Sequence, residues 1–233
     1  MKKILVLLFS ILISFNSYGG SADDYLIGLE AAQRGDFATA LREWKPLAEQ
    51  GDHNAQYNLG YMYESGKGVP QDYKTAIELY TLAAEQGNVN AQYNLGLIYS
   101  FAKGVPQDDK TAIKWFRLAA KQGHAYSQNN LGYMYEYGLE VIQNYKTAVE
   151  WYTLSAEKGN AVAQKNLGQM YENGWGVLQD NIYAYIWGHI SASNGYEDGV
   201  FLRNRVAGKM TSAEINEAQK LARECVAKNY KGC

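Results

Sequence analysis

Two serines in the 233-residue chain are followed three places later by a lysine: Ser100–Lys103 and Ser155–Lys158. On a helix this S-x-x-K spacing puts an amine one turn from a hydroxyl, the nucleophile pattern of penicillin-recognising serine enzymes. The partner motifs of that chemistry, S-D-N and K-T-G, are absent. With eleven serines and lysine at about one position in fourteen, chance alone supplies about one such match. His53, His124 and His189 fall at no metal-ligand spacing and form no H-E-x-x-H. They read as solvated or capping side chains, and no metal or cofactor is expected. Asp and Glu read as helix caps and solvated faces rather than as an isolated buried pair. The chain therefore reads as non-enzymatic, with a β-lactam- or peptidoglycan-directed enzyme as the alternative.

The elements around these residues begin with an address. Lys2 and Lys3 precede Ile4–Ile13, in which only Ser10 is polar, and Gly19 and Gly20 follow. A charged start, a short apolar run and a small-residue exit make a signal peptide. Its expected end is residue 19, or as late as 22. The apolar run is well short of the roughly 20 residues that span a bilayer. After cleavage the chain is expected to be periplasmic or secreted and not membrane-embedded. Loss of Lys2 and Lys3 takes the formal charge from −2 to −4, a balance that does not suit nucleic acid. Cys225 and Cys233 are the only cysteines. In an oxidising compartment two cysteines usually pair; free thiols or an intermolecular bridge are the other outcomes.

A repeat organises the rest. Ala55–Glu64 reads AQYNLGYMYE, and at steps of 36 residues come AQYNLGLIYS, SQNNLGYMYE and AQKNLGQMYE. The second half of the unit recurs as DYKTAIELYTLAA from Asp72, DDKTAIKWFRLAA from Asp108 and NYKTAVEWYTLSA from Asn144. Each unit reads as two helices. Ala55, Leu59, Met62 and Tyr63 make the apolar stripe of the first, and Ala76, Ile77, Tyr80, Ala83 and Ala84 that of the second. Asp36, Asp72, Asp108, Asn144 and Asp180 stand where a side-chain oxygen caps the second helix. Gly51, Gly87, Gly123, Gly159 and Gly195 suit the left-handed position after a helix, and Asp52, Asn88 and Asn160 then cap the next one.

Gly60, Gly96, Gly132 and Gly168 lie mid-helix, where each costs about 1 kcal/mol against Ala. A repeated cost implies a repeated gain, and close approach of the partner helix at Ala76, Ala112, Ala148 and Ala184 is the expected one. No pair buries its apolar faces alone, so the pairs must stack. The fold class is all-α: an α-solenoid of stacked antiparallel helix pairs, with one concave and one convex side. Thr211 with Glu214 reads as a capping box. It opens a C-terminal capping helix with the stripe Ala213, Ala218, Leu221, Ala222 and Val226.

The columns A-Q-x-N-L-G-x-M-Y, G-x-G-V-x-Q-D and A-x-x-W-Y-x-x-A-A-x-Q-G resemble the Sel-1-like repeat family, a relative of tetratricopeptide repeats, in its exported bacterial type. The resemblance divides the chain into a leader (1–19), a tetratricopeptide-like helix pair (22–51), Sel-1-like repeats (52–195) and a degenerate last pair with the capping helix (196–233). Tyr25–Phe37 looks like the opening helix. Glu140-Val141-Ile142 departs from the family's loop, and Asn204 lacks its glycine. Cysteines with seven residues between them join the two helices of a pair in disulfide-rich members, and this similarity favours a Cys225–Cys233 bridge.

The resemblance also implies a protein-binding scaffold whose first helices line the concave side. Positions free of packing vary between copies: Asn54, Asn90, Tyr126 and Val162; Tyr57, Tyr93, Asn129 and Lys165; Tyr61, Leu97, Tyr133 and Gln169; Glu64, Ser100, Glu136 and Glu172. Tyrosine offers large contact area with few rotatable bonds. Tyr57, Tyr61, Tyr93 and Tyr133 are the candidate anchors for a protein or peptide, with a sugar face as a further alternative; partial burial between helices is the structural reading of the same rings. Asn58, Asn94, Asn130 and Asn166 never vary. Such an Asn reaches the ligand backbone in related clamps, whereas its constancy here fits a hydrogen bond between repeats. Trp115, Trp151 and Trp187 share one column and read as packing residues. The family permits an envelope regulator, an immunity protein or a secreted host-binding factor.

Overall fold

The computed structural model describes residues 22–233. The predicted leader lies outside them up to residue 21. Among the described residues the secondary structure is entirely helical. The fold is an all-α solenoid of packed helix pairs. It divides into two compact units, one ending at Gln107 and one running Asp108–Cys233.

The first unit holds α1 (22–33), α2 (Phe37–Glu49), α3 (His53–Ser65), α4 (Tyr73–Glu85) and α5 (Val89–Ser100). The expected opening helix over Tyr25–Phe37 is corrected: α1 stops at residue 33, and Phe37 begins α2. The reason is local. Gly35 turns the chain at φ 82°, and Asp36 accepts the Thr39 N–H at 3.1 Å, which starts a new helix.

The second unit holds α6 (Asp109–Lys121), α7 (Ala125–Tyr137), α8 (Tyr145–Ala156), α9 (Ala161–Asn173), α10 (Asn181–Ser193), α11 (Glu197–Ala207) and α12 (Ser212–Ala227). Caps fix these boundaries. Asp72, Asp108, Asn144 and Asp180 all accept first-turn N–H groups of their second helices, and Asp52, Asn88 and Asn160 do so for first helices. His124 takes that place before α7, its Nδ1 accepting from the Ser127 N–H at 3.3 Å. The glycines between pairs lie at φ 82–96°, which L side chains rarely adopt.

Pairing within a repeat is antiparallel. Tyr63 O accepts from Asp72 N at 2.9 Å, Gly60 lies against the Tyr80 ring, and Gln56 Oε1 accepts from Gln86 Nε2 at 2.9 Å. One index rises as the other falls. The mid-helix glycines do permit close approach, but the partner differs from the expected alanine. A Cβ on Gly60 would stand 2.8 Å from the Tyr80 ring, and one on Gly132 2.6 Å from that of Tyr152. Gly168 faces the Ala184 carbonyl, yet Leu202 is nearer still. At Gly60 and Gly132 the aromatic rings one turn beyond the alanines fill the space the glycines leave.

The glutamine of each A-Q-x-N-L-G run is buried and ties successive pairs together. Gln56, Gln92, Gln128 and Gln164 donate through Nε2 to the carbonyls of Ala48, Ala84, Ala120 and Ala156, at 3.0–3.2 Å. Each adds a second hydrogen bond to a carbonyl in the last turn of the preceding second helix, which also accepts the N–H of the turn glycine.

The first unit's core gathers Trp44, Leu47, Leu59 and Met62. The second unit's core gathers Tyr152, Leu167, Trp187, Ile190, Leu202, Ala218 and Ala222. Trp187 is buried, whereas Trp115 and Trp151 are half-buried. In α12 the buried face is Ala218, Ala222 and Cys225; Ala213 and Val226 point outward. The Thr211–Glu214 capping box is formed. A disulfide joins Cys225 of α12 to Cys233, and the tail beyond the helix folds back so that Tyr230 Oη donates to Asn194 Oδ1 at 3.2 Å.

Candidate binding face on the first helices

Two of the residues with candidate nucleophile spacing are committed elsewhere. Ser155 is fully buried, and its hydroxyl donates to the Ala125 carbonyl at 2.7 Å. The Lys103 ammonium is bound to Glu64 at 3.1 Å. So held, the Ser155 hydroxyl is not an activated nucleophile. His53 Nδ1 lies 3.3 Å from Asn88 Nδ2, His124 is a cap, and His189 stacks on Tyr185. Among the described residues no three His, Cys, Asp or Glu side chains converge as for a metal ion.

The candidate face divides by unit. In the first unit, Tyr57 is half-buried with its ring 5.8 Å from that of Tyr80, and burial raises its phenol pKa. Tyr93 is half-buried as well. Tyr61 is 43% exposed, and Lys67 Nζ lies 4.8 Å from its ring centroid and donates to its hydroxyl at 3.0 Å. Asn58 donates to Tyr25 Oη at 3.2 Å and Asn94 to Tyr80 Oη at 3.0 Å. In the second unit, Tyr133 is 48% exposed and pairs with the Tyr137 ring at 4.5 Å. Asn130 is half-buried, and Asn166 donates to Asn129 Oδ1 at 3.2 Å. Asn58, Asn94 and Asn166 thus bond residues of a neighbouring helix pair. Of the four candidate anchors, Tyr61 and Tyr133 are open, while Tyr57 and Tyr93 are partly enclosed.

The glutamate column behaves differently from a solvated face. Glu136 is 7% exposed and Glu172 5%. Glu64 accepts from Tyr80 Oη at 2.8 Å, and Glu136 from Tyr152 Oη at 2.6 Å. Glu172 has Gly188 at the tyrosine position, and takes Arg205 at 2.6 Å and Lys209 at 2.8 Å instead. Their hydrogen bonds and charges, Arg205 foremost, hold the Glu172 carboxyl below its ordinary pKa. The second copy has Ser100 where the others have Glu, and Phe116 where the first and third have Tyr. In the first three copies acid and hydroxyl rise and fall together, a signal present in the repeats themselves. Reading each column separately missed it.

The Sel1 repeat pattern matches residues 53–88, 89–124, 125–160 and 161–196, more than half of the sequence. The chain belongs to the Sel1 repeat family. Among solved structures, a Sel1 repeat protein from Oxalobacter formigenes is 30% identical over 87% of this chain and 82% of its own, with a TM-score of 0.77. The protein c5321, a protective antigen of uropathogenic Escherichia coli strains with an SLR fold, is 32% identical over 94% of this chain, with a TM-score of 0.83. This chain spans about half of that protein, 49% of its length. A Sel1 repeat protein from Klebsiella pneumoniae, 22% identical with a TM-score of 0.51 over 80% of this chain and 93% of its own, shares the fold. A search of curated proteins finds no match. The Sel1 repeat boundaries fall between successive helix pairs at the short glycine turns, so the repeats over 53–88, 125–160 and 161–196 are each one structural pair.

Proposed function

We propose that this Sel1 repeat protein is an exported, non-enzymatic scaffold that holds a protein or peptide on the first-helix faces of its repeats. Sel1 solenoids commonly serve as protein-interaction scaffolds. The observation that carries the reading is the contrast within the first helices. The Gln, Asn, Leu and Gly columns stay fixed and are used in packing, whereas the Tyr61 and Tyr133 column varies and is open to solvent. Large exposed aromatic side chains with a polar tip are what binding faces use. Export rests on the leader pattern of Lys2, Lys3 and Ile4–Ile13. Among the described residues no helix is long and apolar enough to cross a membrane.

The test is affinity capture with the purified protein beside a Tyr61→Ala/Tyr133→Ala version. A protein held by the first bait and lost by the second supports the scaffold and its face. Export is read from the mass of the product recovered from an envelope fraction, which should lack residues 1–19 or 1–22.

A further inference from the structure

Corresponding residues in the two units differ in one respect that bears on the partner. In the first unit the chain supplies its own cations to the first-helix receptors. Lys67 Nζ sits against the Tyr61 ring and hydroxyl, and Lys103 Nζ sits on Glu64 at 3.1 Å. Seventy-two residues on, the receptors return as Tyr133 and Glu136, and the second tyrosine donor Tyr80 returns as Tyr152. The lysines do not: Lys67 corresponds to Leu139 and Lys103 to Trp175. Ser65, meanwhile, is replaced by the exposed Tyr137, whose ring pairs with Tyr133 at 4.5 Å.

We propose that Tyr133, Tyr137 and Glu136 receive a lysine or arginine side chain from a protein partner, in the place the chain's own lysines fill in the first unit. This deepens the scaffold reading and rests on it. Glu136 is 7% exposed, and its Oε2 accepts from Tyr152. Among the described residues it has no ion pair, whereas Glu64 has one and Glu172 two. A buried carboxylate balanced only by phenols keeps a field that solvent does not screen. Its charge reaches the neighbouring phenol: burial first, and then Glu136, raises the Tyr137 pKa. The guest charge lies over the two exposed rings, where the π faces and the carboxylate act on it together. Leu139 and Trp175, both at the exposed margin, supply apolar surface for the aliphatic stem. Trp175 stacks on Tyr145 at 5.4 Å, just as Lys67 lies 5.7 Å from Phe37, so the indole occupies the position from which Lys103 reaches its carboxylate.

The probe is N-acetyl-arginine amide, titrated against the full protein while the tyrosine-ring NMR signals are followed. N-acetyl-norleucine amide and N-acetylglucosamine serve as comparisons. The Tyr133 and Tyr137 rings should shift saturably with the arginine probe alone. Glu136→Gln, which keeps an acceptor for Tyr152, should weaken binding at least about fivefold. Leu139→Lys restores the internal cation without removing a receptor, and should abolish the shift. Equal shifts with norleucine or the sugar, or arginine binding untouched by Leu139→Lys, would overturn the assignment. Absence of an arginine shift overturns it too, whatever the capture experiment gives. Arginine binding with no captured protein instead counts against the scaffold and leaves the receptor standing.

Discussion

Tyr152 donates its phenolic hydrogen to the Glu136 carboxylate across 2.6 Å, and both side chains are buried. The same bond joins Tyr80 to Glu64 at 2.8 Å. The copy that lacks the acid also lacks the hydroxyl, as Ser100 and Phe116. Removing one member leaves the other buried and short of a partner. Tyr152→Phe is therefore expected to cost about 1–3 kcal/mol. Tyr152→Phe with Glu136→Ser should cost less than the sum of the single changes by about 1 kcal/mol or more. Urea unfolding of the four proteins in the cycle measures this. Additive costs would mean that the two side chains are stabilised independently.

Gln128 reveals a missing partner. Gln86 Nε2 donates to Gln56 Oε1, and Asn194 Nδ2 to Gln164 Oε1, both at 2.9 Å. The residue at that position for Gln128 is Lys158, and Gln128 Oε1 is buried without a partner. Lys158→Gln should supply the donor and stabilise the protein by about 1 kcal/mol. The melting temperature should rise by roughly 2–4 °C. An unchanged or lower value would show that the carboxamide does not reach.

His124 makes one cap pH-dependent. Its Nδ1 accepts the Ser127 N–H, which requires a neutral nitrogen, and burial lowers its pKa below the ordinary imidazole value. Such a group stabilises the fold fully above its unfolded pKa, and the contribution is lost as pH falls through the lower folded value. His124→Asn installs the cap used at Asn88 and Asn160, which does not titrate. The variant's advantage over the parent should grow between pH 7.5 and 5, by on the order of 1 kcal/mol. Parallel melting curves across that range would contradict the assignment.

The paired helices, their caps and the glycine turns were legible because every copy meets the same packing demand and writes it into the sequence. The helix expected over Tyr25–Phe37 ran too far because Gly35 stands where the other copies have Gln, although Asp36 of the capping column marks the start of the next helix. Ala148 seemed the close neighbour of Gly132, since small residues suggest contact, but the Tyr152 ring fills that gap. The glutamate column looked solvated because charge suggests water. Its burial becomes readable only when Glu136 is compared with Tyr152, and Glu172 with Gly188 and Arg205.

The tail gives a fourth expectation. The Cys225–Cys233 bridge holds a segment whose Tyr230 reaches Asn194 and whose Gly232 N–H reaches Glu157 at 3.4 Å. Closing so short a loop constrains the unfolded chain by about 2 kcal/mol. Cys225→Ala/Cys233→Ala should lower stability by that order and release the tail to hydrogen exchange while the α7 and α9 amides stay protected. Loss of protection throughout would show that the bridge holds more than the end.

The most direct measurement is paired affinity capture from envelope extract. One bait is the protein itself; the other carries Tyr61→Ala and Tyr133→Ala. These are the exposed members of the column, whereas truncating Tyr57 would also open a gap against Tyr80. Both baits should melt alike. The account predicts a protein retained by the first and lost by the second. Baits of equal stability that retain the same proteins in the same amounts would contradict it.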